Sequence, residues 1–155
     1  MAADIDGGGL LCAGPSGVGK STISHLLHDA GHRVLTDERP VARRRMAAGG
    51  SFMLYGTPWQ SIGGLAEPGQ VPLRCICFLK HGAENLATPL KPGEAIRRLI
   101  HVSRVPWQHP LLFDPCLKTF ESLLAQVPAY DLAFRPDAAV VPLLRELVSG
   151  APGVP

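Results

Sequence analysis

The sequence lacks a long hydrophobic run, and no apolar stretch approaches the ~18 residues that a membrane-spanning helix needs. Its first residues, MAADIDGGG, are acidic and glycine-rich, whereas a secretory leader is basic and then apolar. The net charge is only +2 over 155 residues, so bulk charge indicates neither nucleic acid nor an acidic surface. These absences predict a cytoplasmic protein that binds neither membrane nor nucleic acid.

The chain also lacks the cysteine spacing of a metal or redox motif. None of its four cysteines forms a C-x-x-C pair. Cys75 and Cys77 are two residues apart in a strand-like run, which places both side chains on the same face. This pattern favours reduced thiols in the core, and a metal or redox site is the alternative.

The most informative motif is GPSGVGKST, which matches the phosphate-loop pattern G-x-x-x-x-G-K-[ST] at every fixed position. A short apolar run precedes it and a helical pattern follows, so strand, loop and helix stand in the order that the motif needs. The motif predicts that Lys20 contacts the β- and γ-phosphates of a nucleotide and that the Ser21 hydroxyl ligates Mg²⁺. The predicted nucleotide-binding residues are Gly14, Pro15, Ser16, Gly17, Val18, Gly19, Lys20, Ser21 and Thr22.

An acidic pair follows the next predicted strand, residues 32–36. Asp37 and Glu38 stand where a phosphate-loop protein needs a Mg²⁺ ligand, and the later apolar run 71–79 ends in Lys80 and His81 instead. Position and elimination therefore assign the carboxylate role to Asp37 and Glu38. The alternative is a solvated turn before Pro40.

The remaining pattern alternates strands with helices and contains neither a repeat nor a linker. The length suits a single domain, predicted over residues 1–148, with a flexible tail at 149–155. Helices are expected at 21–30, 91–101, 114–127 and 137–148, the third with Asp114 as its N-cap; strands are expected at 9–13, 71–79 and 129–135, with a hairpin over 41–55.

Three further features leave alternatives open. His25 and His28 are three residues apart on the first helix, but two histidines without a third ligand favour a non-metal role. Strand alternation prevents the run 43–45, three arginines, from converging on one ligand, so a solvated face is favoured over an anion clamp. The turn GTPWQ, residues 56–60, can supply a core anchor or a wall of the substrate site.

Taken together, GPSGVGKST, VLTDERP, the YGTPW turn, PLRCICFL followed by HGAEN, and VPAYDLAFRPDAA resemble the small proteins related to the catalytic domain of HPr kinase/phosphorylase. The similarity extends from about residue 6 to residue 147. It implies an α/β fold of the phosphoenolpyruvate carboxykinase type, in which a P-loop domain has a mixed β-sheet with flanking helices.

The resemblance also implies residue roles. In the family, two consecutive aspartates bind Mg²⁺ and accept the hydroxyl proton; Asp37 matches the first, and Glu38 stands where the second is usual. The metal ligands are then Ser21, Asp37 and Glu38, with Asp37, Lys20 and Glu38 as catalytic residues. Arg135 is the candidate for a late phosphate-binding arginine. The family commonly has a histidine on the strand before the loop, and residues 1–13 contain none.

We therefore expect an ATP- and Mg²⁺-dependent kinase that phosphorylates a Ser or Thr hydroxyl on a small protein or peptide. One alternative is a kinase for a small hydroxyl compound such as serine or a sugar. Another is an inactive ATP-binding regulatory or assembly protein. The identity of the acceptor, the choice of ATP over GTP and association into a homo-oligomer stay open.

Overall fold

The computed structural model describes residues 1–45, 50–59 and 64–150. Within these ranges the chain forms a mixed α/β fold with one eight-stranded sheet and four helices. The strands are β1 Ala2–Ile5, β2 Gly8–Ala13, β3 Arg33–Thr36, β4 Val41–Arg44, β5 Phe52–Tyr55, β6 Gln70–His81, β7 Leu86–Pro89 and β8 Ala129–Phe134. The helices are α1 Lys20–Asp29, α2 Pro92–Val102, α3 Pro110–Leu124 and α4 Val140–Ser149.

The sheet is mixed, as predicted, and β6 is its central strand. β2 and β8 both run parallel to β6, whereas β1 is antiparallel to β2 and to β3. β5 pairs antiparallel with the first residues of β6 and with β4, and β7 pairs antiparallel with β8. Strands β2, β3, β6 and β8 consequently run in one direction, and their carboxyl ends meet at one edge.

Helices cover both faces of the sheet because its central strands alternate between two apolar faces. Cys75 and Cys77 project into the core that α1 and α4 cover, and Ile76 and Phe78 project into the core that α2 and α3 cover. The predicted burial of Cys75 and Cys77 on one face is confirmed, and Cys12 is buried as well, but Cys116 is only partly buried and does not lie in the core; all four thiols are free. Burial raises the pKa of the Cys12 thiol to about 12, so it stays protonated at neutral pH.

Strand β1 was not expected from the sequence. It forms a hairpin with β2 through a two-residue turn in which Asp6 and Gly7 both have positive φ, 53° and 85°. This is the conformation that Asp-Gly favours in tight hairpins. Strand β7 was also missed, because its short, largely exposed sequence carries little apolar pattern.

The start predicted for the third helix is wrong. α3 begins at Pro110, and Pro115 lies inside the helix instead of beside an Asp114 cap. Pro115 has no N–H to donate to the carbonyl of Leu111, but Leu111 is 90% exposed, so water can satisfy that carbonyl.

Whereas α3 begins earlier than predicted, the final helix begins later, at Val140, and Asp137 accepts the N–H of Ala139 just before it. The strands of the 41–55 hairpin are confirmed, with Val41 opposite Tyr55. Part of its predicted turn lies outside the described residues. Residues 151–155 of the predicted tail also lie outside them. No described helix is both long and apolar enough to cross a membrane.

Candidate functional site

The phosphate loop follows β2 at the edge where parallel strands end. Lys20 opens α1, and its Nζ donates to the carbonyl oxygens of Gly14, at 2.9 Å, and Pro15, at 2.7 Å. Burial lowers the pKa of Lys20, and the negative charge of Glu38 acts in the opposite direction. The ammonium therefore lies against the carbonyl oxygens of its own loop, within electrostatic reach of Glu38.

The loop needs its glycines for two physical reasons. Gly14, Gly17 and Gly19 all have positive φ, as the motif predicted. A Cβ at Gly19 would lie 2.4 Å from the Phe134 ring at the end of β8, and one at Gly14 would lie 2.8 Å from a methyl group of Val18. The first turn of α1 therefore packs directly on the end of β8, which fixes where its N–H groups point.

The acidic pair lies at the carboxyl end of β3, in a turn closed by hydrogen bonds. The Thr36 hydroxyl donates to the Glu38 carbonyl at 2.5 Å, and the Asp37 N–H donates to the Leu65 carbonyl at 3.2 Å. Asp37 is only 3% exposed, whereas the Glu38 side chain is 47% exposed. A solvated turn, the alternative interpretation, does not describe a carboxylate as buried as that of Asp37.

Arg39 continues this turn with a φ of 53°, a conformation that non-glycine residues seldom adopt. Its Nε lies 3.6 Å from the Glu38 carboxylate, and its guanidinium lies 5.1 Å from the centre of the Trp59 ring. The surrounding contacts thus stabilise an unusual backbone conformation directly after the two carboxylates.

The TPW turn holds the acidic turn from the other side. The Thr57 hydroxyl lies 3.3 Å from the carbonyl oxygens of Glu38 and Arg39 and can donate to either. It also lies 3.3 Å from the Thr36 hydroxyl. Trp59 is 58% exposed, which excludes a core anchor and leaves a wall beside the acidic turn. Gln60, the last residue of the predicted turn, lies outside the described residues.

Charged residues of both the phosphate loop and the acidic turn act on the amine of Met1. The amine donates to the Cys12 carbonyl at 2.8 Å, and burial lowers its pKa to about 6. Lys20 lowers this pKa further, whereas Asp37 and Glu38 raise it. Lys20, Asp37 and Glu38 therefore all lie within electrostatic range of the amine at the start of β1, a strand that the sequence did not reveal.

Two more residues lie at the same edge: Arg135, which the resemblance offered as a phosphate-binding arginine, and His81, which was not predicted as a site residue. Arg135 follows β8, forms an ion pair with Asp137, and donates its backbone N–H to the Asn85 side chain at 2.8 Å. His81 ends β6, and its ring stacks on Phe134 with centroids 6.3 Å apart. Sequence reasoning placed His81 only at the end of a strand; its neighbours come from the parallel pairing of β6 with β8.

The other candidates contribute no site of their own. His25 and His28 are exposed on α1, and the described residues contain no cluster of three or more histidine, cysteine, aspartate or glutamate side chains that could hold a metal ion. Arg43, Arg44 and Arg45 are all exposed, and alternation places Arg44 on the face opposite its neighbours, as predicted. The three guanidinium groups therefore do not converge on one ligand.

The described residues offer hard oxygen ligands at this edge. The Ser21 hydroxyl is exposed in the first turn of α1, and Glu38 presents a half-exposed carboxylate. Such oxygens suit Mg²⁺, which keeps several waters and takes few protein ligands. The donor set thus fits the predicted metal, with Asp37 as the buried member.

Comparison with known proteins yields no match: no family model, no curated protein and no solved structure matches this chain.

Proposed function

We propose that this protein is an ATP-dependent kinase that transfers the γ-phosphoryl group to a Ser or Thr hydroxyl of a small protein or peptide. The observation that carries the proposal is the convergence of Lys20, in a complete phosphate loop, with Asp37 and Glu38 at one sheet edge. Phosphoryl transfer depends mainly on positioning and on charge neutralisation. At this edge Lys20 would neutralise phosphate charge, and Asp37 would orient the acceptor hydroxyl.

The phosphate loop would hold the donor. The Lys20 ammonium now donates to two loop carbonyls, and phosphate oxygens can replace these acceptors with charge-assisted hydrogen bonds. The α1 N-terminus adds backbone N–H groups and the positive end of the helix dipole. Ser21, Asp37 and Glu38 would hold Mg²⁺, which neutralises phosphate charge when bound.

Asp37 would act on the acceptor. As the acceptor oxygen bonds to the γ-phosphorus, the bond from phosphorus to the β,γ-bridging oxygen breaks and ADP leaves. The hydroxyl proton passes to the Asp37 carboxylate during this step, because the pKa of an alcohol is far above that of an aspartate and removal before attack is unfavourable. Glu38, one methylene longer and more exposed, suits the metal better than the proton.

The topology is consistent with a phosphoenolpyruvate carboxykinase-type P-loop domain related to HPr kinase, which we include in the proposal. The sheet is mixed, the phosphate loop follows an antiparallel hairpin, and helices flank both faces. The acidic pair follows a strand that is two positions from β2 in the sheet and runs in the same direction.

Purified protein with γ-labelled ATP and Mg²⁺ tests the proposal. We expect label on Ser or Thr of a peptide acceptor. Label only on small hydroxyl compounds would replace the peptide acceptor with serine or a sugar, and ATP binding without transfer to any acceptor would replace the kinase with a regulatory protein. Absence of ATP binding would overturn the phosphate-loop interpretation itself.

A further inference from the structure

The edge strand β4 begins directly after the acidic turn. Among the described residues β4 pairs only with β5, and it ends the strand order of the sheet. All four of its residues are exposed. Only Arg39 and Pro40 separate Glu38 from the first residue of β4. A strand edge with unpaired backbone groups therefore starts beside the proposed catalytic carboxylates.

This edge carries positive charge that the described residues do not neutralise. The Arg45 N–H donates to the Ser51 carbonyl at 2.9 Å, so the ladder continues one residue past β4 and places Arg43 and Arg45 on the same face. No carboxylate of the described ranges lies within salt-bridge distance of either guanidinium. Arg44, on the other face, donates to the Gly50 carbonyl at 3.1 Å.

We propose that β4 binds an extended acidic segment of the acceptor, which adds to the sheet as a further strand and carries the hydroxyl to Asp37. This inference rests on the kinase function proposed above. In strand addition, main-chain hydrogen bonds supply affinity and alternate side chains supply specificity. Acidic side chains opposite Arg43 and Arg45 would stand two residues apart, on one face of the added strand.

The positive charge of β4 favours an acidic segment of the acceptor over a second copy of the chain as the partner strand. Two copies paired through β4 would bring arginine-rich edges together, and like charges directly opposite in a sheet are destabilising. Acidic residues spaced two apart would instead face the Arg43 and Arg45 guanidinium groups. The exposed Trp59 ring, with Arg39 beside it, would form the wall where the hydroxyl enters the site.

A binding measurement tests the surface independently of catalysis. The probe is a fluorescent ten-residue peptide with alanine at the hydroxyl position and two glutamates two residues apart, synthesised with the glutamates before or after the alanine. We expect fluorescence anisotropy to detect binding of at least one of these two peptides. The substitution Arg43→Glu should weaken that binding about tenfold. The matched control is Arg104→Glu, which reverses an exposed arginine outside β4 and should leave affinity unchanged. Equal affinities of the two variants would overturn the proposal.

Backbone methylation separates strand addition from simple charge attraction. Two versions of the bound peptide carry N-methyl groups on alternate residues, in one version the odd positions and in the other the even ones. Because only every second N–H of an added strand faces its partner, one version should lose binding and the other should keep it. Equal binding by both versions would exclude β4 pairing.

Failure of this inference is distinguishable from failure of the proposed function. If the protein transfers phosphate to Ser or Thr peptides equally well whether they carry glutamates or lysines, the kinase stands and the acidic-strand proposal is wrong. If the glutamate peptide binds β4 but no hydroxyl receives phosphate, the docking surface stands and the kinase is wrong.

Discussion

Two charged clusters lie on strand ends of this sheet, and they differ in how their charges are paired. In one, Lys80 and Arg98 both contact the Asp131 carboxylate, at 2.7 and 2.9 Å, and Arg98 also contacts Glu94. In the other, Lys20 donates to backbone carbonyls, and the Glu38 carboxylate lies 3.6 Å from Arg39, its one ion-pair contact among the described residues.

The difference is what the proposed function predicts, because in that proposal the Lys20 cluster binds a ligand and the Lys80 cluster does not. The Lys80 cluster satisfies each charge with an opposite charge, as a structural network does. In the Lys20 cluster, no described carboxylate lies within salt-bridge distance of the ammonium, although Glu38 is close enough to raise its pKa. An ammonium held on carbonyl oxygens near carboxylates is ready to exchange those acceptors for phosphate oxygens.

The strongest test of this comparison replaces the lysine of each cluster. Lys20→Ala should abolish ATP binding or turnover, because no other described lysine or arginine lies in the phosphate loop. Lys80→Ala is the matched control; it removes an exposed ion pair worth about 1 kcal/mol or less and should leave ATP affinity unchanged. Isothermal titration with ATP measures both. Unchanged ATP affinity and turnover in Lys20→Ala would remove the functional distinction between the clusters.

The second test neutralises one aspartate in each cluster. Asp37→Asn should leave ATP binding largely intact and lower phosphoryl transfer by about 10² to 10⁴, the contribution of a general base. Asp131→Asn makes the same chemical change in the paired network, so transfer should stay at the wild-type rate. Single-turnover rates with saturating ATP measure the effect, and full activity of Asp37→Asn would exclude this carboxylate from the mechanism.

The third test concerns a residue that positions the acidic turn without touching substrate. Thr57→Val removes the hydroxyl near the Glu38 and Arg39 carbonyls and should cost about 1 kcal/mol of stability. Thr119→Val is matched, since it removes a hydroxyl that donates to the Pro115 carbonyl in α3. A positioning role predicts that only Thr57→Val lowers kcat, with ATP affinity retained. Equal kcat in both variants would reduce Thr57 to a structural residue.

Most of the fold followed from local pattern, and the misses have physical causes. The strand before the phosphate loop, the central strand β6 and the alternation of Cys75 and Cys77 were predictable because buried strands are long apolar runs. β1 was missed because it is four residues long and its Asp-Gly turn resembled a polar terminus. Pro115 was taken for a helix start because sequence cannot show that α3 already has its first turn.

The main residues of the candidate site could each be predicted from the sequence, but the contacts that hold them in place could not. Spacing identified Lys20, and position after a strand identified Asp37 and Glu38. The hydrogen bonds from Thr57 to the acidic turn join residues about twenty positions apart, and the packing of Phe134 on Gly19 joins β8 to the phosphate loop. Such contacts depend on strand order, which a single sequence does not specify.

The smallest expected effect lies in the paired cluster: a loss of stability at neutral pH that disappears in acid. Burial alone would raise the pKa of Asp131, but hydrogen bonds from Lys80 and Arg98 lower it below its usual value of 3.8. A carboxylate with a lowered folded-state pKa stabilises the protein above the unfolded-state pKa, and this stabilisation is lost as pH falls through the folded-state value. Asp131→Asn should therefore lower the urea midpoint at pH 7, with a difference from wild type that shrinks below about pH 4.

Asp114→Asn, at an exposed aspartate without a described ion pair, is the control and should show no such convergence with wild type in acid. A pH-independent difference for Asp131→Asn would mean that its ion pairs do not stabilise the fold, and the contrast between the Lys80 and Lys20 clusters would then lose its energetic basis.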